Sequence, residues 1–164
     1  AAIVECMLRN GMKPTVYFSN SNIYPQQEYD VRKHELKRFL EAQNVLYVEE
    51  EYDHHEWFSV IKGLEDEPER GSRCSVCFQF RLSHAAKYAQ EHGFHLLTTT
   101  LASSRWKNIR QIDTAGHLAV EASPDVEWWD MNWRKGGLQN RRGELLRINE
   151  FYNQLYCGCE FSMR

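Results

Sequence analysis

Four short apolar runs, each followed by a stretch with helical spacing, constrain this chain more than anything else in its sequence. Thr15-Val16-Tyr17-Phe18, Leu46-Tyr47-Val48, Phe94 to Thr100 and Val126-Glu127-Trp128-Trp129 read as strands, rich in β-branched and aromatic residues. The spacing predicts a helix over 26–43, with Tyr29, Leu36, Phe39 and Leu40 as its buried stripe and Val31 and Arg32 more lateral. Further helices are predicted over 54–62, from the Cys74 region to about His92, over 106–122 and over 145–155. Such alternation builds a parallel sheet with helices on both faces. Ligands of such sheets gather beyond the carboxyl ends of the strands. The expected rim is therefore loops 19–25, 52–55, 101–107 and 130–137.

At 164 residues the chain is long enough for one domain with a real core, and nothing marks a boundary within 1–164. A net charge of −3 supplies no global basic field, so any nucleic-acid contact has to be a local patch. No apolar run approaches the ~20 residues that cross a bilayer, so no membrane partner is expected. Five cysteines, an odd number, do not suit a secreted disulfide scaffold, and a cytoplasmic protein is expected. Residues 1–11 look like a helix already under way that ends at Gly11, so the chain is expected to begin before Ala1.

Two close cysteine pairs carry the chemistry. Cys74-Ser75-Val76-Cys77 follows the polar, Pro- and Gly-bearing stretch 65–72 and precedes the helical spacing Phe78, Leu82, Ala85, Ala86, Ala89. The pair is expected where a loop becomes a helix, with Cys77 in or near the first turn. Free N–H groups and the helix dipole favour thiolate there. A lone Cys-x-x-Cys fits half a zinc site, part of an iron–sulfur site, a redox dithiol or plain packing. Cys157-Gly158-Cys159 is rarer. A disulfide there closes a very small ring, which restricts little chain entropy and makes a poor staple, so redox or metal work is the better use.

Other features carry less. There is no Gly-x-x-x-x-Gly-Lys-Ser/Thr or Gly-x-Gly-x-x-Gly loop for a nucleotide and no Gly-x-Ser-x-Gly elbow. His54-His55 read as a helix start, His117 as an interior or edge histidine, Cys6 as packing and Glu49-Glu50-Glu51 as a solvated strand end. Arg134, Lys135, Arg141, Arg142 and Arg147 form a basic stretch, and Arg105 and Lys107 flank Trp106. With Trp128, Trp129 and Trp133 they suit phosphate contact and base stacking. A solvated helix face over a buried tryptophan cluster explains them equally well.

Ordered motifs run the length of the chain. They are Asn20-x-Asn22-Ile23-x-Pro25-x-x-Glu28-Tyr29-x-x-Arg32, Gly63-Leu64-Glu65-x-Glu67-Pro68-Glu69, Arg73-Cys74-x-x-Cys77-Phe78-x-x-Arg81-Leu82, Thr98-Thr99-Thr100-Leu101 with Lys107-Asn108, and Tyr156-Cys157-Gly158-Cys159-x-Phe161-Ser162. In these the sequence resembles the QueH-type epoxyqueuosine reductases. The resemblance implies reduction of epoxyqueuosine to queuosine in the tRNA anticodon loop, the last step of that modification. The fold it implies is α/β, a Rossmann-like three-layer sandwich with a mainly parallel sheet. The first strand and a Cys-Cys pair would lie ahead of Ala1. It further implies a [4Fe–4S] cluster on that pair with Cys74 and Cys77, a redox-active disulfide of Cys157 and Cys159, and conceivably an additional iron. Asn20, Asn22, Arg105, Lys107, Asn108, Arg134 and Lys135 are the expected tRNA contacts, and a low-potential electron donor is required. Asp53, His54 and Tyr24 are loop candidates for the proton donor. Rival readings are a nucleic-acid-binding module with zinc on Cys74, Cys77, Cys157 and Cys159, or a thiol–disulfide oxidoreductase acting on protein partners.

Overall fold

A computed structural model describes residues 1–163 and gathers them into two compact units. One comprises residues 1–52 with the stretch from Arg134 on; the other is Asp53–Trp133. Both are mixed α/β, and each holds one parallel strand pair.

In the first unit, β1 (Thr15–Phe18) pairs with β2 (Leu46–Glu49), Thr15 opposite Leu46 and Phe18 opposite Glu49. Around this pair run α1 (Ala2–Arg9), α2 (Gln26–Ala42) and α6 (Leu138–Ile148). Val4, Phe39 and Leu40 form one buried cluster, with Leu8, Leu36, Tyr47 and Phe151 packed against it. Phe18, Ile23 and Tyr29 form another; Tyr29 lies 5.3 Å from Phe18 and 4.4 Å from Tyr52 between ring centroids. The predicted stripe of α2 is thus the buried one. Arg141 grips Glu5 with two bonds of 2.9 and 3.0 Å and ties α6 to α1, holding the Glu5 carboxyl below its usual range.

The second unit contains α3 (His54–Ile61), α4 (Ser72–Glu91), α5 (Ile109–Val120) and the pair of β3 (Leu96–Leu97) with β4 (Glu127–Trp128). Its core joins Phe78, Leu82 and Ala86 of α4 to Leu101, to Ile112, Ala115 and Ala119 of α5, and to Trp128.

Several sequence expectations are corrected. The strand expected over Phe94 to Thr100 is only Leu96–Leu97. Thr99 leaves the strand to accept the Leu101 N–H at 3.2 Å, opening a 3-10 turn over Thr100–Ser103. The last helix is Leu138–Ile148, not 145–155. It starts at Gly137, whose φ of +77° only glycine adopts easily, and beyond it Glu150 turns left-handed at φ +50°. Arg32, taken as lateral, is 7 % exposed. On the helices predicted over 54–62 and 106–122, Val60 and Leu118 lie exposed, as does His117. Glu49 and Glu50 are more than a solvated strand end: they accept the hydroxyls of Tyr29 (3.0 Å) and Tyr17 (3.3 Å).

Among the described residues no helix is long and apolar enough to cross a membrane.

Candidate functional site

No disulfide is formed among the described cysteines. In the first unit, Cys157-Gly158-Cys159 forms a turn held from three directions. Arg32 donates to the carbonyls of Tyr156 (2.9 Å) and Cys157 (3.2 Å), and its guanidinium lies 5.2 Å from the Tyr156 ring centroid. Its Nε pairs with Glu28 at 2.7 Å, and Tyr152 donates to the other Glu28 oxygen at 2.8 Å. The Tyr24 N–H donates to the Gly158 carbonyl at 2.9 Å, and the Tyr156 hydroxyl bonds the Tyr24 carbonyl.

Gly158 sits at φ +109°. A Cβ there would lie 2.8 Å from Ile23 Cγ1 and 3.2 Å from Arg32 Nη1, so both conformation and space demand glycine. The loop from Asn20 to Pro25 and the face of α2 bearing Glu28 and Arg32 are thus the cradle of the Cys157 turn. Two motifs far apart in sequence are one object. Asn22 is 3 % exposed within it, and its Oδ1 has no hydrogen-bond partner among the described residues. Buried acceptors in folded proteins are rarely left without a partner.

Cys159 is buried and Cys157 is half-buried, the arrangement of an attacking thiol with a sheltered partner. Ser162 Oγ lies 3.0 Å from Cys157 Sγ and 2.7 Å from the Cys159 carbonyl oxygen. A carbonyl only accepts, so the hydroxyl proton goes to Cys159 and the Cys157 thiol donates to Ser162. Once Cys157 ionises, its sulfur needs a donor, and the stronger charge-assisted bond draws the hydroxyl round. Ser162→Ala removes that donor. The pH midpoint of Cys157 alkylation by iodoacetamide should then rise by about one unit, whereas Ser162→Thr should stay near the parent. A midpoint unmoved or lowered by the alanine would refute this role for the hydroxyl.

In the second unit, α4 begins at Ser72, so Cys74 lies in the first turn and Cys77 just past it, near the first turn as expected. The helix starts early because the preceding loop is fastened to it. Arg73, 2 % exposed, donates to the carbonyls of Leu64 (3.3 Å), Glu65 (2.7 Å) and Glu67, and Glu67 accepts the Ser72 N–H at 3.1 Å. Three residues apart, Cys74 and Cys77 share a helix face. Cys74 Sγ accepts the Arg70 N–H at 3.2 Å, a bond that favours thiolate. Gln111 of α5 steadies this loop by donating to the carbonyls of Arg70 (3.1 Å) and Gly71 (3.0 Å) and to Ser75 Oγ (2.6 Å).

The remaining candidates find varied places. Asn108 caps α5, its Oδ1 accepting from Arg110 and Gln111 at 3.1 and 3.4 Å. Lys107 Nζ lies 5.3 Å from the Phe78 ring centroid, and Arg105 is exposed. Lys135 is exposed and Arg134 half-buried, in the first unit with Asn20. Asp53 caps α3 by accepting the Glu56 N–H at 2.8 Å, and His54 stacks on Trp57 at 5.2 Å. Trp128 and Trp133 are 5 % and 2 % exposed, and Trp133 donates to Thr98 Oγ1 at 3.1 Å. These two belong to the core rather than to a stacking surface. Arg32, Ser162 and Gln111 are the residues that sequence reasoning passed over. The first two stand inside the quoted motifs, while Gln111 gave no signal.

Among the described residues no three His, Cys, Asp or Glu side chains gather around a metal position. Cys74 and Cys77 fit two ligands of a thiolate-bound metal group: paired donors on one helix face, one already accepting an N–H.

The model of the family described as epoxyqueuosine reductase QueH matches residues 1–164. Relatives bearing that name are 46 % identical in Histophilus somni, 45 % in Haemophilus influenzae and 44 % in Acinetobacter baylyi, each over 162 residues and 99 % of this chain. The chain spans 67 %, 66 % and 74 % of those relatives' lengths.

Proposed function

Because the chain belongs to the QueH family of epoxyqueuosine reductases, we propose that it reduces epoxyqueuosine to queuosine in the anticodon loop of tRNA. Cys157 and Cys159 are the redox-active pair in this reading. The observation that carries it is the Cys157 turn: two cysteines either side of a glycine that tolerates no side chain, clamped by Arg32, Tyr24 and Ser162.

The stoichiometry closes. Converting an epoxide to an alkene and water takes two electrons and two protons. A dithiol passing to its disulfide releases two of each. The oxygen leaves as water, both of its carbon–oxygen bonds break, and one sulfur–sulfur bond forms. Cys157, half-exposed, is the sulfur that meets substrate, and Cys159 closes the disulfide behind it. Ser162 supplies the hydrogen bond that Cys157 needs once it becomes a thiolate. Asn22 Oδ1 is the acceptor for a substrate N–H or O–H. Asn20, Arg105, Lys107, Asn108, Arg134 and Lys135 are assigned to the RNA, and the fold is read as a Rossmann-like three-layer sandwich.

Returning the disulfide to dithiol requires two electrons from a low-potential donor. A [4Fe–4S] cluster, when bound, supplies them one at a time. Cys74 and Cys77 would supply two of its thiolate ligands.

The test is direct. Protein purified without oxygen is incubated with tRNA carrying epoxyqueuosine and a low-potential reductant, and the digested nucleosides are weighed. Queuosine, lighter by one oxygen, is the expected product. Unchanged epoxyqueuosine with folded, metal-loaded protein would overturn the assignment.

A further inference from the structure

Trp106 is 67 % exposed, whereas Trp57, Trp128 and Trp133 are 5 % exposed or less. Its backbone is nevertheless fixed. Ser104 N–H bonds the Leu101 carbonyl at 3.1 Å, Lys107 N–H the Ser104 carbonyl at 3.3 Å, and Trp106 N–H Ser104 Oγ at 3.4 Å. Arg70 Nε donates to the Trp106 carbonyl at 2.7 Å. A large aromatic ring is thus held outside the core on a braced loop, at a cost in exposed apolar surface that folding does not require.

Its surroundings are cationic. The Arg105 guanidinium lies 5.1 Å from the Trp106 ring centroid, Arg70 is bonded to the Trp106 carbonyl, and Arg110, four residues along the chain, is exposed in the same unit. With Arg105 over the ring, two thirds of the residue is still exposed, leaving ring surface for a partner. Most telling is what Arg70 joins: its side chain bonds the Trp106 carbonyl, and its own N–H bonds Cys74 Sγ. The exposed ring and the thiol are braced by one residue.

We infer that Trp106 is a stacking platform for an unpaired nucleobase of an RNA loop, with Arg105 and Lys107 taking the flanking phosphates. An indole face beside guanidinium and ammonium groups matches a base joined to its phosphates, and duplex RNA, whose bases are already stacked on one another, offers no such partner. This assignment rests on the proposed action on tRNA and adds to it the side chain that grips the loop.

The experiment measures binding, so its outcome is separate from catalysis. A fluorescein-labelled anticodon stem-loop RNA is titrated with the parent protein and with Trp106→Ala and Trp106→Phe variants. A control RNA has the same length and is fully paired. Because one base–aromatic stack is worth from about 5-fold to about 150-fold in affinity, Trp106→Ala should weaken stem-loop binding about 10-fold or more. Trp106→Phe should keep most of the affinity, the paired control should bind all three proteins alike, and thermal unfolding should not move. RNA should quench the parent's tryptophan emission more than that of Trp106→Phe. Equal stem-loop affinity for parent and Trp106→Ala, or an equal loss on the paired control, would overturn the stacking role while leaving the proposed reaction standing. A parent protein that binds no stem-loop at all would instead remove the RNA reading, and this inference with it.

Discussion

Arg32→Met should loosen the Cys157 turn and speed alkylation of Cys159 by at least about 10-fold, with a loss of about 3 kcal/mol in stability. The size follows from what the side chain leaves behind. Glu28, whose side chain is 12 % exposed, would lose its charge partner, and the carbonyls of Tyr156 and Cys157 would lose their donors. Removing one member of a buried pair typically costs about 3–5 kcal/mol, and for a protein of this size about 3 kcal/mol lowers the melting temperature by roughly 6–12 °C. Arg32→Lys should recover only part of this, because a single ammonium cannot serve Glu28 and two carbonyls with the geometry of a planar fork. Mass spectrometry of timed alkylation, beside thermal unfolding, reads both effects. A Cys159 as sheltered in Arg32→Met as in the parent would show that the guanidinium does not hold the turn.

Gly116→Ala should destabilise the protein although alanine is the better helix former. A Cβ on Gly116 would fall 2.1, 2.3 and 2.5 Å from Trp128 Cε2, Cδ2 and Cζ2, far inside any tolerated contact. Trp128 cannot step aside. It is 5 % exposed, packed among Phe78, Leu82 and Ile112, and its strand is paired with Leu97. Contacts this short put the overpacking cost at the top of its usual range, about 3 kcal/mol, against about 1 kcal/mol gained in helix propensity, leaving a net loss near 2 kcal/mol and a melting temperature lower by roughly 4–8 °C. Gly143→Ala on α6 meets nothing within 4 Å and should raise stability by up to about 1 kcal/mol. Opposite signs for the same substitution would isolate the Trp128 contact; a Gly116→Ala protein as stable as its parent would refute it.

Local patterns were legible where a single element decides its own structure. The bounds of β1, the stripe of α2 and the cap at Gly11 follow from spacing and glycine alone. The buried face of α4 does too, with Ala85 left partly exposed. What escaped is set by contacts between distant residues. Residues 149–155 include the helix formers Glu150, Gln154 and Leu155, yet Arg38 takes the Asn149 carbonyl at 2.9 Å, Glu35 takes the Tyr152 N–H at 3.0 Å, and Phe151 leaves to pack on Phe39 at 5.6 Å. These outweigh propensity. Arg32 reads as a flank residue in a helical wheel, and only the carbonyls of the Cys157 turn make its burial favourable. The two cysteine motifs were legible as chemistry because scarce residues stood in pairs. The Ser162 proton and the Gln111 brace were not, because serine and glutamine are ordinary in number and acquire meaning only through their neighbours.

The bonds from Arg32 to Tyr156 and Cys157 bridge 124 and 125 positions of chain. During synthesis, α2 therefore leaves the ribosome well before the segment it is to clasp, and the nascent protein passes through a period in which Arg32 and Glu28 have each other but no turn to hold. Closing so long a loop is costly in entropy and slow compared with forming the helices. The sulfurs at 157 and 159 thus take up their working geometry among the last events of maturation, and mild denaturant should release them among the first.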